Sequence, residues 1–446
     1  MAEKSRAKST HRHALSRRQF LKRSAAGTAA AIAAPNIITS SALGAEGAAP
    51  ASERLVLGMI GMGKMMGGHV GGFLGRPQCQ IVAICDVETR RLDAQETRIN
   101  EFYAQRDGQG SYQGCDVYGD YRELLARDDV DAVVIATPEH WHALNVIEAA
   151  KNGKDIYCEK PLCHTIEEAQ AMVKAVRRYG CVFQTGSQQR SSREFRVACE
   201  LVRNGHIGKV HTVHVNVGGP PSDCYLPAEP TPETLNWDMW LGPAPYRPYN
   251  SDIAPPMEYE GWPNWREYRD YSGGMMCDWG AHHFDIAQWG LGMDGTGPVE
   301  IYAPGTGGYE RLTYVYANGV VMHHGGGSGG RAGVEFIGSE GRVMVNRGYI
   351  ETDPVSILET PLRPDDIHLY HSDNHHDDWL NAIRTRTKPI CDVEVGASSI
   401  TVCHLGNTAY RLKRPLKWDP VAARYVDDEE ANRTLARPMR SPWTLT

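Results

Sequence analysis

The chain has 446 residues, 41% of them hydrophobic and 23% charged, with a formal net charge of −7. This composition is typical of a soluble globular protein and excludes a disordered or fibrous chain. Residues 1–44 carry eight lysines or arginines and one glutamate, a charge of +7, so residues 45–446 carry −14. A body this acidic has no general electrostatic reason to bind nucleic acid or an anionic membrane surface.

The basic N-terminal segment has the layout of an export signal. The run Ser-Arg-Arg-Gln-Phe-Leu-Lys at 16–22 precedes an uncharged stretch from Ser24 to Ala45. This arrangement resembles a twin-arginine signal peptide, for which the partner is the twin-arginine export machinery. The stretch consists mostly of small residues and is broken by Pro35, so no lasting membrane insertion is expected. The sequence therefore predicts a signal peptide over 1–44 and a periplasmic or otherwise exported protein. The alternative is a basic arm followed by an alanine-rich helix.

From Arg54 onward, short apolar runs alternate with helical segments, which is the pattern of a parallel sheet with crossover helices. A strand is predicted over 55–60, followed by a glycine turn at 61–67, a helix, and a second strand over 81–85 that ends at Asp86. Glycines allow backbone N–H groups to approach a pyrophosphate, and an acidic residue after the next strand can bind ribose hydroxyls. The pattern predicts a dinucleotide site, with these residues against the cofactor: Gly61, Gly63, Lys64, Met65 and Asp86.

The glycine spacing is one residue longer than the common fingerprint, and glycines also serve ordinary turns, so the turn alone would be a weak signal. The flanking strand and Asp86 strengthen it. A carboxylate at that position would repel a 2′-phosphate, which favours NAD, while Arg90 and Arg91 leave NADP open.

Four further motifs follow in chain order. A strand is predicted over 130–135, then Ala-Thr-Pro-x-x-x-His at 136–142, then a strand over 155–158 leading into Glu-Lys-Pro at 159–161. Gln-Thr-Gly at 184–186 and Asn-Gly-His-Ile-Gly at 204–208 come next. With the glycine turn, these motifs resemble the Gfo/Idh/MocA family of pyridine-nucleotide sugar oxidoreductases over roughly residues 54–415.

The resemblance and the strand pattern together predict an α/β protein in two domains. The first is an N-terminal Rossmann domain with a doubly wound parallel sheet over 54–180. The second is a C-terminal α+β domain with a large, mostly antiparallel sheet over 181–415, which binds substrate and mediates oligomerisation. An extended tail follows over 416–446. Members of the family lead us to expect a homo-oligomer, either a dimer or a tetramer.

The resemblance also implies roles for individual residues. Lys160 would lie beside the nicotinamide and the reacting hydroxyl, where its ammonium polarises the alcohol oxygen. Thr137, Pro138 and His142 would lie along the cofactor, and Glu159 near the nicotinamide ribose. Without the resemblance, a lysine after a strand would most often be a solvated charge.

The region 225–289 is rich in aromatic residues and contains six of the ten tryptophans. Aromatic planes stack on the apolar faces of sugar rings, so the region is interpreted as a substrate wall or a subunit interface. For any single ring, a place in a loop-rich core is the better expectation. The predicted substrate contacts here are Tyr225, Trp265 and Arg266.

The run Gly-Gly-Met-Met-Cys-Asp-Trp-Gly-Ala-His-His at 273–283 holds the second catalytic candidate. On one continuous helix, Asp278 and His282 share a face, and a carboxylate can hold an imidazole in one tautomer. The alternative from spacing alone is a capping aspartate and a packing histidine. The resemblance favours catalysis, with His282 as general base, Asp278 as its orienting carboxylate or a sugar ligand, and His283 as a further substrate contact.

No metal site is predicted. The eleven cysteines form no Cys-x-x-Cys pair, and the chain has no His-Glu-x-x-His motif. His-His-Asp-Asp at 375–378 lacks a partner of matching spacing, so a solvated helix start is the expected structure there.

The predicted function combines the predicted export with the hydride-transfer chemistry that the motifs indicate. A periplasm holds little free nicotinamide cofactor, so an exported dehydrogenase needs a tightly bound cofactor that is recycled in place. The leading hypothesis is hydride transfer at a hydroxyl of a small sugar or glycoside. One alternative is an NAD-dependent glycosidase that acts by transient oxidation, elimination, water addition and re-reduction. Another is a sugar-binding protein without turnover.

Overall fold

The structure is a computed structural model and describes residues 53–106 and 111–445. The predicted signal peptide, residues 1–44, therefore lies outside the described residues. Within them, two sheets organise the chain, and both sheets carry helices on their faces. No helix of the described residues is long and apolar enough to cross a membrane.

The first sheet has six parallel strands in the order β3-β2-β1-β4-β5-β6. The strand order reverses between β1 and β4, and in such sheets ligands bind outside the carboxyl ends of the strands at that point. The strands are β1 (Leu55–Ile60), β2 (Cys79–Cys85), β3 (Asp116–Tyr118), β4 (Ala132–Ile135), β5 (Asp155–Cys158) and β6 (Phe183–Thr185).

The second sheet has nine strands in the order β13-β12-β11-β7-β10-β9-β8-β14-β15. Strands β7 and β10 are parallel and the other neighbours are antiparallel. The strands are β7 (Val210–Asn216), β8 (Glu300–Tyr302), β9 (Thr313–Val315), β10 (Val321–His324), β11 (Gly333–Gly338), β12 (Arg342–Asn346), β13 (Tyr349–Asp353), β14 (Leu416–Asp419) and β15 (Arg424–Tyr425).

Helices connect and cover the two sheets. In chain order they are α1 (Lys64–Leu74), α2 (Thr89–Arg106), α3 (Tyr121–Leu125), α4 (His142–Lys151), α5 (Ile166–Tyr179), α6 (Arg193–Arg203), α7 (Trp237–Leu241), α8 (Met275–Asp278), α9 (Gly280–Leu291), α10 (Ser356–Glu359), α11 (His375–Thr385), α12 (Val393–Leu412) and α13 (Glu429–Asn432). Local chemistry explains several of their ends. For example, the Thr165 side chain accepts from the N–H of Glu168 to start α5, and Gly180 ends it in the left-handed conformation.

The fold class predicted from the sequence is confirmed, but residue 180 does not divide the two sheets. Strand β6 continues the parallel sheet beyond the predicted limit because its backbone pairs with β5. A later segment returns to this domain: Trp379 of α11 is fully buried and packs edge-on against Phe73 and Tyr157. Burial of apolar surface, not chain order, therefore decides which residues stabilise the first sheet.

Two further expectations differ from the structure. The predicted tail over 416–446 contributes β14, which pairs with β8, and Trp418 and Tyr425 are buried in the core. Helix α11 does begin at His375, as predicted, but its start is not solvated. The His375 side chain is buried and its Nε2 lies 2.8 Å from the carbonyl oxygen of Thr185.

Candidate active site

A cleft of about 530 Å³ lies outside the carboxyl ends of β1, β4 and β5. One wall is formed by the loops that follow these strands. The opposite wall is formed by segments between residues 232 and 282, together with Arg347. The cleft therefore occupies the position where an open α/β sheet binds its ligand.

The glycine turn after β1 leaves room for a ligand phosphate. Gly61 has φ of +89°, and a Cβ built on it would lie 2.8 Å from the backbone nitrogen of Thr137. Gly63 caps α1 without a side-chain hydrogen bond, and a Cβ there would meet nothing within 4 Å. The first turn of α1 contains no acidic residue, so its N–H groups are available to an anion.

Asp86 lies where a ribose diol would be bound. One of its oxygens accepts from the N–H of Met62 at 2.5 Å, and the other accepts from the N–H of Glu88 at 2.9 Å. Burial raises the pKa of the Asp86 carboxyl, although both N–H donors and the charge of Arg91 oppose that rise. These contacts fix the carboxyl at the end of β2 and against the glycine turn.

Residues 255–263, which we call the strap, join the two walls at this end of the cleft. Glu258 of the strap forms an ion pair with Arg90, and Arg91 Nη2 donates to the carbonyl of Pro255 at 3.2 Å. Lys64, at the start of α1, donates to the carbonyl of Glu260. The strap therefore holds both the glycine turn and the segment beyond Asp86.

The loop after β4 carries Thr137, Pro138 and His142 along the cleft. The two ring nitrogens of His142 lie 2.8 Å from the carbonyl oxygens of Thr137 and Pro161. Burial lowers the pKa of His142. The ring thus ties the loop after β4 to the turn after β5.

Glu159 is buried at the end of β5, where its carboxylate also lines the cleft. His69 of α1 lies with Nε2 at 3.0 Å from Glu159 and with Nδ1 at 2.8 Å from Nε2 of His376. Burial alone would raise the pKa of Glu159, but the His69 hydrogen bond and the charge of Lys160 outweigh it and lower the pKa.

Lys160, Asp278 and Arg266 form one charge cluster, in which Asp278 is buried and the two cations are partly exposed. Lys160 Nζ lies 2.9 Å from one carboxylate oxygen of Asp278 and 3.2 Å from its carbonyl, and Arg266 Nη1 lies 2.7 Å from the other carboxylate oxygen. Burial alone would raise the pKa of Asp278, but the two cations outweigh it and lower the pKa. An ammonium has three donors, so Lys160 retains one for a ligand oxygen.

His282 lies in the same cleft, but Asp278 does not orient it. The helix is interrupted at Trp279, so Asp278 ends α8 while His282 belongs to α9. Both ring nitrogens of His282 are without a hydrogen bond to any of the described residues, and Nδ1 is buried. Burial, and then the charges of Lys160 and Arg347, lower the pKa of His282 well below its ordinary value. A neutral imidazole is the form that can accept a proton.

The predicted substrate contacts separate in space. Trp265 and Arg266 line the cleft, whereas Tyr225 is 88% exposed and lies outside its lining. His283 is also outside the lining because it stacks on Trp279. The aromatic region itself is divided: Trp240, Trp262, Trp265 and Trp279 line the cleft, while Trp237 and Trp289 are buried in packing.

Comparison with known protein families agrees with this architecture. Residues 55–187 match an oxidoreductase-family domain described as an NAD-binding Rossmann fold, and residues 221–445 match the C-terminal α/β domain of the same family. The chain belongs to the Gfo/Idh/MocA oxidoreductase family.

Curated relatives match only part of the chain. A glycosyl hydrolase family 109 protein of Shewanella baltica is 31% identical over 210 residues, covering 44% of this chain and 45% of the relative. A 2,7-anhydro-N-acetylneuraminate hydratase of Mediterraneibacter gnavus is 32% identical over 152 residues, covering 33% and 36%. The chain thus spans about half or less of the length of these relatives.

Solved structures share the fold over most of the chain. The WlbA dehydrogenase of Bordetella pertussis, solved with NADH and UDP-GlcNAcA, has a TM-score of 0.57 at 19% identity, covering 82% of this chain and 98% of that one. At this identity the likeness establishes the fold.

The residues of this Gfo/Idh/MocA member fit a nicotinamide dinucleotide. The open glycine turn and uncapped α1 suit the pyrophosphate, and Asp86 suits a ribose diol. The ring nitrogens of His282, which have no hydrogen bond to the described residues, and the remaining donor of Lys160 line the same cleft.

Sequence reasoning missed three parts of the site. Arg347 follows β12 and has no local signal, since an arginine in a hairpin turn is ordinarily a surface charge. Gln189 bridges Arg347 and the carbonyl of His282, and His69 bonds to Glu159; no local pattern marks either residue because these partners lie far along the chain. The strap lies within the aromatic region 225–289 that the sequence analysis singled out, but its bonds to Lys64 and Arg90 were not predicted.

Proposed function

We propose that the chain is an exported oxidoreductase that transfers hydride between a sugar or glycoside hydroxyl and a nicotinamide cofactor that stays bound through the cycle. The observation that carries the proposal is one continuous cleft with a dinucleotide turn at one end and the Lys160, Asp278 and His282 group at the other. A bound nicotinamide would supply the hydride acceptor and donor.

The chain's own residues would position the sugar and move the proton. Lys160, fixed by Asp278, donates its remaining N–H to the reacting oxygen and stabilises negative charge that develops there. His282 is neutral and takes the hydroxyl proton through a free ring nitrogen. Arg266 is the further donor that fixes Asp278 from the opposite side.

Export and permanent cofactor binding form the finer part of the proposal. The Arg-Arg-Gln-Phe-Leu-Lys run supports export by the twin-arginine pathway. Because that pathway exports folded proteins, the cofactor must be bound before export. The strap supports retention because three groups of the dinucleotide wall, Lys64, Arg90 and Arg91, bond to it. The same bonds occupy Arg90 and Arg91, which favours NAD over NADP.

A glycoside hydrolase is the second candidate. In that case the sugar would be oxidised transiently, the aglycone eliminated, water added and the ketone reduced again. The specific observation in its favour is the similarity to a glycosyl hydrolase family 109 protein and to an anhydro-sugar hydratase. Elimination and hydration both need a base beside the reacting carbon, which the neutral His282 ring would provide.

The decisive experiment uses the protein purified after export by its own signal. Denatured samples are assayed for nicotinamide, and native samples are followed near the reduced-nicotinamide absorbance band while sugars and aryl glycosides are added. About one nicotinamide per chain is expected, with spectral change on addition of substrate. Released aglycone without net reduced cofactor would favour the hydrolase. No spectral change and no product with any sugar would favour a binding protein and refute the proposal.

Variants test the residue roles. Lys160→Ala and His282→Ala are each expected to reduce kcat by roughly 10²-fold or more, the usual contribution of a general base or an electrostatic group. His211→Ala is the matched control, since His211 is exposed on β7 and remote from the cleft lining. Full turnover by either cleft variant would overturn the assignment.

A further inference from the structure

The substrate end of the cleft carries more positive than negative charge. Its cationic side chains are Lys160, Arg266 and Arg347, and its anionic side chains are Glu159 and Asp278. Asp278 is shared between Lys160 and Arg266, and Glu159 is bonded to His69. Arg347 is thus left without an ion pair to any carboxylate of the described residues, although the charges of Asp278 and Glu159 reach it.

Neighbouring side chains hold Arg347 in place through its Nε and leave its two terminal nitrogens available to a ligand. With the Gln189 amide oriented to satisfy both neighbours, it accepts from Arg347 Nε at 3.1 Å and donates to the carbonyl of His282 at 3.1 Å. The guanidinium carbon lies 4.8 Å from the ring centre of Trp279, which in turn stacks on His283. The two terminal nitrogens of Arg347 form no hydrogen bond to the described part of the chain.

Arg347 is solvent-exposed, but the side chain that bonds to its Nε is buried. Gln189 is 2% exposed, so the group that holds Nε is itself fixed by packing. The partial burial of the Arg347 side chain lowers its pKa, while the charges of Asp278 and Glu159 oppose that change. Two parallel N–H groups on a planar guanidinium match the two oxygens of a carboxylate or phosphate ester.

We propose that the sugar substrate carries an anionic group, a carboxylate or a phosphate ester, which binds the terminal nitrogens of Arg347 while the reacting hydroxyl lies at Lys160 and His282. The inference rests on the proposed function for the reaction, but it concerns the substrate class alone. The anion completes the charge balance that Asp278 and Glu159 leave open, and it orients the sugar at a point remote from the dinucleotide turn.

Matched pairs of sugars test this inference on the holoenzyme. D-glucuronate and D-glucose 6-phosphate are each compared with D-glucose, and D-galacturonate with D-galactose, by calorimetric titration and by turnover. At least one acidic member is expected to bind about tenfold or more tightly than its neutral partner. Comparison of the two uronates with D-glucose 6-phosphate shows whether the site prefers a carboxylate or a phosphate ester. Equal affinity within every pair, or no binding of any acidic sugar, would overturn the inference.

Substitution of the arginine provides a second, independent measurement. Arg347→Gln is expected to weaken binding of the preferred acidic sugar by roughly 10- to 100-fold, the usual effect of losing a charge-assisted pair, and to weaken binding of its neutral partner by a smaller factor, so that the preference for the acidic sugar falls. Arg347→Lys keeps the charge but loses the fork, so an intermediate loss is expected. Arg331→Gln is the matched control because Arg331 pairs with Glu351 at the surface of the same sheet.

The two proposals fail in different ways. Turnover of neutral sugars as fast as their acidic partners, with no effect of Arg347→Gln, would refute the substrate class and leave the oxidoreductase intact. Tight binding of acidic sugars without any nicotinamide spectral change would refute the oxidoreductase and leave the anion site intact.

Discussion

Replacement of Asp278 by asparagine tests the charge cluster at the centre of the site. The side chain of Asp278 is 7% exposed, and its two oxygens bond separately to Lys160 and Arg266. Asparagine keeps the shape but removes the negative charge, and its amide nitrogen faces one of the cations. Two cations then share a buried position without a counter-ion.

The structure sets the size of the effect. A hydrogen bond to a charged group contributes about 1.5–3 kcal/mol, so two of them contribute about 3–6 kcal/mol. The side chains of Lys160 and Arg266 are 16% and 20% exposed, so part of their charge remains hydrated. We therefore expect the free energy of unfolding to fall by about 2–4 kcal/mol at pH 7.

The pH dependence has a definite sign. The pKa of Asp278 is lower in the folded protein than its ordinary value, so its contribution to stability is present above pH of about 4, the unfolded-state pKa. That contribution is lost as the pH falls through the lower folded-state pKa. The stability gap between wild type and Asp278→Asn is thus expected to be constant from pH 7 to 5 and to close below about pH 4.

Urea unfolding followed by tryptophan fluorescence measures the gap at each pH. Asp223→Asn is the control, because the Asp223–Arg269 pair is about half exposed and such surface pairs contribute at most about 1 kcal/mol. An Asp278→Asn protein as stable as wild type at pH 7 would refute the reasoning. So would a gap that stays constant into the acid range.

Three further substitutions test other parts of the molecule. Burial raises the pKa of Glu139 well above its ordinary value, so the stability of the wild type falls as the pH rises above about 4.3. In urea unfolding between pH 5 and 8, Glu139→Gln is therefore expected to gain stability relative to the wild type by up to about 1.4 kcal/mol per pH unit. Equal pH slopes of the two proteins would contradict this. Gly61→Ala is expected to lower the free energy of unfolding, measured by thermal unfolding, by about 1–3 kcal/mol and to lower the nicotinamide content, because the φ of Gly61 is +89°. Gly75→Ala is the control: Gly75 has a φ of −74° and open space around it, so its substitution should leave stability nearly unchanged. Arg190→Met leaves the fully buried Asp285 without its 2.8 Å partner and is expected to lose about 3–5 kcal/mol; a loss under about 1 kcal/mol would show that another cation compensates.

Much of the first sheet and the cofactor end of the site follow from local sequence. The short apolar run Leu-Val-Leu-Gly-Met-Ile followed by a glycine turn favours a buried strand, and β1 spans the predicted residues 55–60. The glycine turn and Asp86 meet because parallel strands place their carboxyl ends at one edge, so the position of each in the chain predicts the position of the other in space. The Glu-Lys-Pro lysine reaches the cleft for the same reason.

The substrate end could not be derived in this way. The spacing of Asp278 and His282 predicts a shared helix face, but the helix is interrupted at Trp279 and Asp278 bonds instead to Lys160, 118 positions earlier. Arg347 enters the cleft from a hairpin turn whose sequence contains no motif that indicates a functional residue. A charge takes whichever partner the packing of distant segments brings within hydrogen-bond distance, and no local pattern records that choice.

The sequence by itself predicted the parallel sheet and the dinucleotide turn, because backbone periodicity and glycine conformations are local properties, and its motifs indicated the family and the second sheet by resemblance. Only the tertiary structure decided which carboxylate fixes Lys160, that the strap bonds to the dinucleotide wall, and that Arg347 lines the same cleft as His282 without an ion pair to the described residues. Those contacts join residues that are far apart in the chain. They depend on how the second sheet and its loops pack over the first, and that packing is a property of the whole fold.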